Sequence, residues 1–241
     1  MGIIKLNTRD VFELKTHLLI SGCTGSGKSV TMRKCINSLI AESCNNLFYM
    51  IDLKRVELSQ YKELPQLQAL ALDFESAIDV LETCNKLMYD RYKLLEIHNA
   101  TNCKDLNLKE VYICIDEIAE LTSVLEVKQK KKAISLLSSL ARLGRASGLH
   151  LIIATQYPTK SVLPMQLLMN VDYRICMRTA TPQGSCVVLN YYGAEKLTKK
   201  GEYILHTPDK FEDVHGLCYY DSPQKTEYLT LYRKAQYLKL I

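Results

Sequence analysis

Gly22-Cys23-Thr24-Gly25-Ser26-Gly27-Lys28-Ser29 is the stretch on which the reading of this chain turns. It satisfies the pattern G-x-x-x-x-G-K-[ST], and its surroundings agree with it. The run His17-Leu18-Leu19-Ile20 predicts a buried strand, and from Lys28 to about Ser43 apolar residues recur at helical spacing. A strand, a glycine-rich turn and a helix N-terminus together make an anion site. Backbone N–H groups of the loop and first helical turn point at phosphates, and the helix dipole favours their charge. The glycines allow close approach, Lys28 supplies a point charge for terminal phosphates, and the Ser29 hydroxyl is a ligand for Mg2+. The expected cofactors are therefore ATP and Mg2+, bound along Gly22, Cys23, Thr24, Gly25, Ser26, Gly27, Lys28 and Ser29.

Ahead of this unit, residues 1–15 carry no usable pattern and leave no room for a domain before the loop. After it, Asn46 to Asp52 reads as a second strand. Phe74, Ile78, Leu81, Cys84, Met88, Tyr92 and Leu95 then mark a long amphipathic helix whose stripe belongs to a core. Val111 to Ile115 has the form of a buried parallel strand closing on Asp116 and Glu117. A third helix is predicted from about Lys130 to Ala146, stopped by Gly148, followed by a strand from Leu149 to Ala154 that ends at Thr155-Gln156-Tyr157-Pro158. Tyr173 to Met177, Tyr203 to His206 and Gly216 to Tyr220 read as further strands, and residues 221–241 as a terminal helix. Strands alternating with helices predict an α/β fold: a single domain with a core over residues 15–220 and a mostly parallel sheet covered on both faces.

In such a sheet, ligands bind beyond the carboxyl ends of the strands, where the phosphate loop, Asp116-Glu117 and Gln156 all fall. A carboxylate closing an apolar strand suits Mg2+, which makes Asp116 the second expected metal ligand after Ser29. Its neighbour Glu117, pointing the other way, suits a base that orients or deprotonates an attacking water, and Gln156 suits a sensor of the γ-phosphate. A solvated strand end is the alternative for the acidic pair. A small-molecule kinase has less use for a water-activating glutamate. A signalling GTPase would carry N-K-x-D, yet Asn85-Lys86 is followed by Leu87-Met88 inside the long helix. An ATP-binding switch without turnover stays open.

Composition narrows the class. With 241 residues, 47% hydrophobic and 24% charged, the chain is an ordinary globular protein, and its net charge of +5 suits an acidic partner without requiring one. Its apolar runs are far shorter than the ~20 residues that span a bilayer, so a cytoplasmic protein is expected. Nine cysteines, odd in number and without a C-x-x-C pair, argue against both zinc and a disulfide framework; Cys114 and Cys176 sit in apolar runs as small hydrophobes.

The residues around these sites resemble a known family. His17 to Val30, Asp52-x-Lys54-x-x-Glu57-Leu58 with Tyr61 and Pro65, Asp90-Arg91-Tyr92, and Ile115-Asp116-Glu117-x-Ala119-Glu120-Leu121 all resemble the motor domain of FtsK/SpoIIIE-type DNA translocases. So do Arg145-Ala146-x-Gly148-x-His150-Leu151-Ile152-x-Ala154-Thr155-Gln156 and Gly193-Ala194-Glu195-Lys196-Leu197 with Gly201. The resemblance implies a RecA-like P-loop ATPase core that works as a homo-oligomeric ring, a hexamer, moving double-stranded DNA. It implies that Glu117 is the catalytic base, that Gln156 senses the γ-phosphate, that Val30 continues the nucleotide-binding segment, and that an arginine from a neighbouring subunit completes each site. Arg174 is the first candidate, with Arg145 and Arg142 behind it. Lys128, Lys130, Lys131 and Lys132, with Lys160, are the candidate DNA contacts, against the alternative of a solvated basic helix start.

The sequence departs from the family pattern in places. Tyr157 stands where an arginine is usual, Ser185-Cys186 where Ser-Arg is usual, and the family's membrane-spanning and DNA-reading regions are not expected within these 241 residues. These departures point towards conjugative or plasmid DNA transfer served by partners at a membrane, with viral genome packaging as the nearest competitor.

Overall fold

The computed structural model describes residues 2–123, 126–210, 212–218, 228, 230–232 and 236. In chain order its strands are β1 (Gly2–Lys5), β2 (Val11–Leu14), β3 (Leu18–Ser21), β4 (Leu47–Ile51), β5 (Leu67–Ala71), β6 (Val111–Ile115), β7 (Leu149–Thr155), β8 (Tyr173–Met177), β9 (Glu202–His206) and β10 (Val214–Leu217). The helices are α1 (Lys28–Glu42), α2 (Phe74–Ile97), α3 (Ala119–Thr122), α4 (Val127–Ser147), α5 (Met165–Leu168) and α6 (Pro182–Leu189).

Every residue of β3, β6 and β7 is buried, which is the pattern of strands covered on both faces. They lie at the centre of an eight-stranded sheet of order β10-β9-β8-β3-β7-β6-β4-β5. From β8 to β5 all neighbours are parallel, while β9 and β10 close one edge antiparallel. The α/β architecture expected from the alternation is the one observed. Two apolar clusters line the sheet's two faces. One joins α2 and α4 to Leu19, Ile113 and Ile153, and the other joins α1 to Leu18, Ile20 and Ile152. Alternate residues of β3 therefore feed opposite cores, as the period of two requires.

Helix α2 carries the predicted stripe: Ile78, Leu81, Cys84, Met88 and Leu95 are buried, and Phe74 and Tyr92 pack against the cluster that the first four of these join. Asp73 caps it by accepting from the Ser76 N–H, with the Ser76 side chain completing a reciprocal capping box. Helix α4 begins three residues earlier than the periodicity predicts and ends at Gly148, whose φ of 70° is the left-handed stop a glycine supplies. Cys114 and Cys176 are buried thiols as expected, and burial pushes the Cys176 thiol up to about 12, which keeps it protonated.

The sequence reading needs three corrections. Residues 2–14 form an antiparallel hairpin, β1 with β2, whose alternating Ile4, Leu6, Phe12 and Leu14 enter the second core. Strand β5, parallel on the sheet edge, had no predicted counterpart, because its burial is only partial. The last strand runs from Val214 to Leu217, two residues earlier than Gly216. Of the predicted terminal helix, residues 228, 230–232 and 236 are helical, and Tyr228 packs into the second core; the rest lies outside the described residues. Among the described residues, no helix is long and apolar enough to cross a membrane.

Candidate nucleotide and hydrolysis site

The phosphate loop leaves β3 and is anchored on both sides. Gly22 N–H donates to the Thr155 carbonyl (3.2 Å) and Cys23 N–H to the Arg178 carbonyl (2.8 Å), tying the loop to the ends of β7 and β8. Gly25 and Gly27 take φ of 80° and 109°, where side-chain-bearing residues are strained. A Cβ on Gly27 would lie 3.2 Å from Gly201 Cα, and Gly201 N–H in turn donates to the Ser26 carbonyl at 2.8 Å. Gly201 is thus a wall of the loop that the site chemistry alone did not mark.

Helix α1 starts with no side-chain cap, so its first N–H groups are left to a ligand. The Ser26 hydroxyl is buried within the loop and has no protein hydrogen-bond partner, and the Ser29 side chain is half-buried at the helix start. Lys28 Nζ donates to the Asp116 carbonyl (3.1 Å) and to Asp116 Oδ1 (3.3 Å), with both side chains about nineteen-twentieths buried (5% and 6% exposed). Open helix N–H groups, an orphan hydroxyl, a buried ammonium and a carboxylate beside it form the donor set that a triphosphate with Mg2+ needs. Val30 behaves differently: its side chain packs against the second core.

Glu117 is held more tightly than the sequence suggests. Its Oε1 accepts from Thr155 Oγ1 at 2.7 Å and its Oε2 from the Gln156 N–H at 3.0 Å. Lys54 Nζ lies 3.7 Å from Oε2. The Gln156 side chain accepts from Thr24 Oγ1 at 2.8 Å, so the sensor candidate already touches the phosphate loop. Gly22 to Ser29, Asp116, Glu117 and Gln156 therefore converge in one crevice at the carboxyl ends of β3, β6 and β7. Thr155, Lys54 and Arg178 join them there. A polar residue closing an apolar strand was the available signal for Thr155; Arg178 follows β8 in the same way, with an exposed side chain.

A sequence profile of the FtsK/SpoIIIE family matches residues 4–112 and 103–160. The chain belongs to the FtsK/SpoIIIE family. The DNA translocase FtsK of Helicobacter pylori (strain J99) is 33% identical over 224 residues, covering 88% of this chain and 26% of the relative. That of Borreliella burgdorferi is 36% identical over 215 residues, covering 80% and 26%. The chain thus spans about a quarter of the length of these FtsK relatives. Among solved structures, the monomer form of the pCW3 conjugation coupling protein TcpA with ATPgS superposes with a TM-score of 0.81 at 28% identity, covering 92% of this chain and 67% of that one. The genome packaging NTPase B204 from Sulfolobus turreted icosahedral virus 2 shares the fold, with a TM-score of 0.52 at 15% identity over 86% of this chain and all of that one.

The candidate arginines are placed as follows. Arg174 donates from Nε to the Val171 carbonyl, from one terminal nitrogen to Val188 and from the other to Leu168, at 2.8–3.0 Å. Three of its five N–H groups are so engaged, and two remain. Arg142 and Arg145 are exposed on α4. Arg174 is the second residue of β8, opposite Leu19 in register, and Arg142 and Arg145 stand in the last two turns of α4, which leads into the amino end of β7. The candidate DNA lysines are also distributed: Lys128, Lys130, Lys131 and Lys132 stand on the first two turns of α4 and Lys160 in the exposed loop after β7. Lys132 pairs with Glu82 at 2.6 Å.

Proposed function

We propose that this chain is an ATP-driven translocase of double-stranded DNA, acting as a homo-oligomeric ring in conjugative or plasmid DNA transfer. The observation that carries the reading is the carboxylate Glu117, fixed by Thr155 and Gln156 across the crevice from the Lys28–Asp116 pair. A phosphate loop alone binds nucleotide; a buried, oriented second carboxylate gives a water its base. The 28% identical conjugation coupling protein TcpA, whose structure holds ATPgS, supports the transfer role. The packaging NTPase supports the fold alone.

When bound, Mg2+ neutralises charge on the β- and γ-phosphates, and Ser29 and Asp116 would hold it. Lys28 stabilises the terminal phosphates, Glu117 takes the proton of the attacking water, and Gln156 reports the γ-phosphate to Thr24. An arginine of a neighbouring subunit, Arg174 with its two remaining N–H groups or else Arg145 or Arg142, completes the charge balance. The lysines of α4 sit at a helix N-terminus, where the dipole disfavours cations. An anionic partner such as a DNA backbone offsets that, and Lys160 in the loop after β7 is a further candidate contact. The protein works in the cytoplasm, recruited to the membrane by transfer machinery.

The decisive test is steady-state ATP hydrolysis with and without duplex DNA, on wild type and Glu117→Gln. Wild type should hydrolyse ATP and be stimulated by duplex. The variant should bind Mg-ATP and lose about 10^2-fold or more in turnover, the share a general base supplies. Equal turnover by the variant sinks the base assignment, and an assembled ring indifferent to DNA is a switch rather than a motor.

A further inference from the structure

Asp52, at the end of β4, is buried and accepts four hydrogen bonds of 2.8–3.2 Å, from Val56 N–H, Leu58 N–H, Ser59 N–H and the Ser59 hydroxyl. They tie residues 53–59 into a fixed turn. Within it Arg55 takes φ of 57°, a left-handed conformation strained for a side-chain-bearing residue, steadied by Nε donating to the Leu72 carbonyl at 3.1 Å. A strained residue held by its surroundings sets the direction of its neighbour, and that neighbour is Lys54.

Lys54 reaches over the crevice to two carboxylates, 3.7 Å from Glu117 Oε2 and 3.6 Å from Glu120 Oε1. Glu117 itself is 2% exposed, whereas Lys54 is 35% exposed and Val56, at the tip of the same turn, 70%. Of the groups that hold Glu117, Thr155 is buried in β7 and Gln156 contributes backbone; Lys54 is the one an outside partner can reach. Its ammonium covers the Oε2 edge, where its N–H groups compete with the O–H of a water.

We infer that Lys54 is a positioning residue that latches Glu117 in a restrained state, and that a polyanion drawing the ammonium away releases the base. The inference rests on Glu117 acting as the base of the proposed ATPase. The turn presents Lys54 and Arg55 side by side and exposed on the rim of the crevice, which suits the phosphates of duplex DNA. DNA-stimulated turnover is then the loss of one ion pair rather than the building of a site.

Steady-state hydrolysis by the full chain, with and without duplex DNA, tests this on wild type, Lys54→Ala, Lys54→Arg and Glu117→Gln. Lys54→Ala is expected to raise the DNA-free kcat by about two- to fivefold, the kinetic equivalent of losing a part-exposed ion pair, with KM for ATP unchanged. Its stimulation by DNA should shrink by the same factor, and Lys54→Arg, which keeps the cation, should bring both back toward wild type. A merely structural role would lower kcat instead. A DNA-free kcat for Lys54→Ala at or below wild type, with Glu117→Gln inactive, overturns the latch alone. Wild-type turnover by Glu117→Gln overturns the base assignment and the latch with it.

Discussion

Lys28 and Thr155 each serve a carboxylate, and the two bonds differ in what their loss removes. Lys28 is the buried cation of the phosphate loop, and Lys28→Ala withdraws a charged donor from the triphosphate. A hydrogen bond to a charged group is worth about 1.5–3 kcal/mol, so ATP affinity by calorimetry should fall about 10- to 100-fold, with circular dichroism unchanged. Retained affinity would remove Lys28 from the ligand set. Thr155 never meets the nucleotide; its hydroxyl fixes Glu117 Oε1 at 2.7 Å. Thr155→Val keeps the shape and deletes that bond, leaving the carboxylate on the Gln156 N–H and Lys54. About tenfold should disappear from kcat while KM for ATP stays put, since a charge-assisted bond converts to roughly that factor. A matching rise in KM would instead mean that the phosphate loop had moved with it.

Among the elements, the junction of α4 with β7 sets where Thr155 and Gln156 stand. Gly144 permits it: a Cβ there would meet the Leu149 carbonyl at 2.5 Å and His17 Cε1 at 3.1 Å. His17 then bolts the layers together. Its Nδ1 accepts from the Leu151 N–H at 2.9 Å, so its Nε2–H donates to the Ala141 carbonyl, also at 2.9 Å. A proton on Nδ1 would face a donor. Burial, with the nearby His150 adding to it, accordingly pushes the His17 imidazole down to about 3. A depressed histidine contributes stability that is whole above the unfolded value near 6.5 and is lost as pH falls, because the unfolded chain takes the proton first. Between pH 6.5 and 4.5 denaturant unfolding should show a stability loss with a share of about 2 kcal/mol from this residue. In His17→Gln the slope over that window should flatten by that share, and an identical slope would refute the assignment. The strands and helices of this junction were legible because each is a long run with one period: β7 buried throughout and apolar apart from His150 and Thr155, α4 with Gly148 at its stop. Gly144, His17 and Thr155 were not legible in these roles. Their meaning lies in contacts between segments far apart in sequence, which no local pattern encodes. The hairpin of β1 and β2 failed for a related reason. Its alternation is only four residues long on each strand, too brief to stand out until the second core is there to receive Ile4 and Phe12.

For the molecule as a whole, parallel strands give the sheet two unlike ends. The carboxyl ends gather the phosphate loop, Asp116, Glu117, Gln156 and Lys54, a convergence the sequence foreshadowed because acidic and amide residues close apolar runs. Toward the amino ends stand Arg142, Arg145 and Arg174, the last already tied to three backbone carbonyls of its own chain. In the proposed ring, a head-to-tail arrangement would offer the arginine end of one subunit to the nucleotide of the next. The proposed DNA contact includes the lysine-rich start of α4. Among the described residues, no acidic side chain pairs with Lys128, Lys130 or Lys131, and no acid stands in the first turn of α4 to favour its dipole. If these three meet phosphates, each contributes about 0.9 to the slope of log affinity against log salt. Replacing all three by alanine should flatten that slope in duplex-binding titrations by about 2–3, weaken binding alike for unrelated sequences, and leave DNA-free hydrolysis intact. Lys128 and Lys131 are exposed and Lys130 is half-buried, and none of the three belongs to an apolar cluster, so unfolding should be little changed. An unaltered salt slope would mean that α4 faces away from the DNA, and the search for the contact would pass to Lys160 and the turn that carries Lys54 and Arg55.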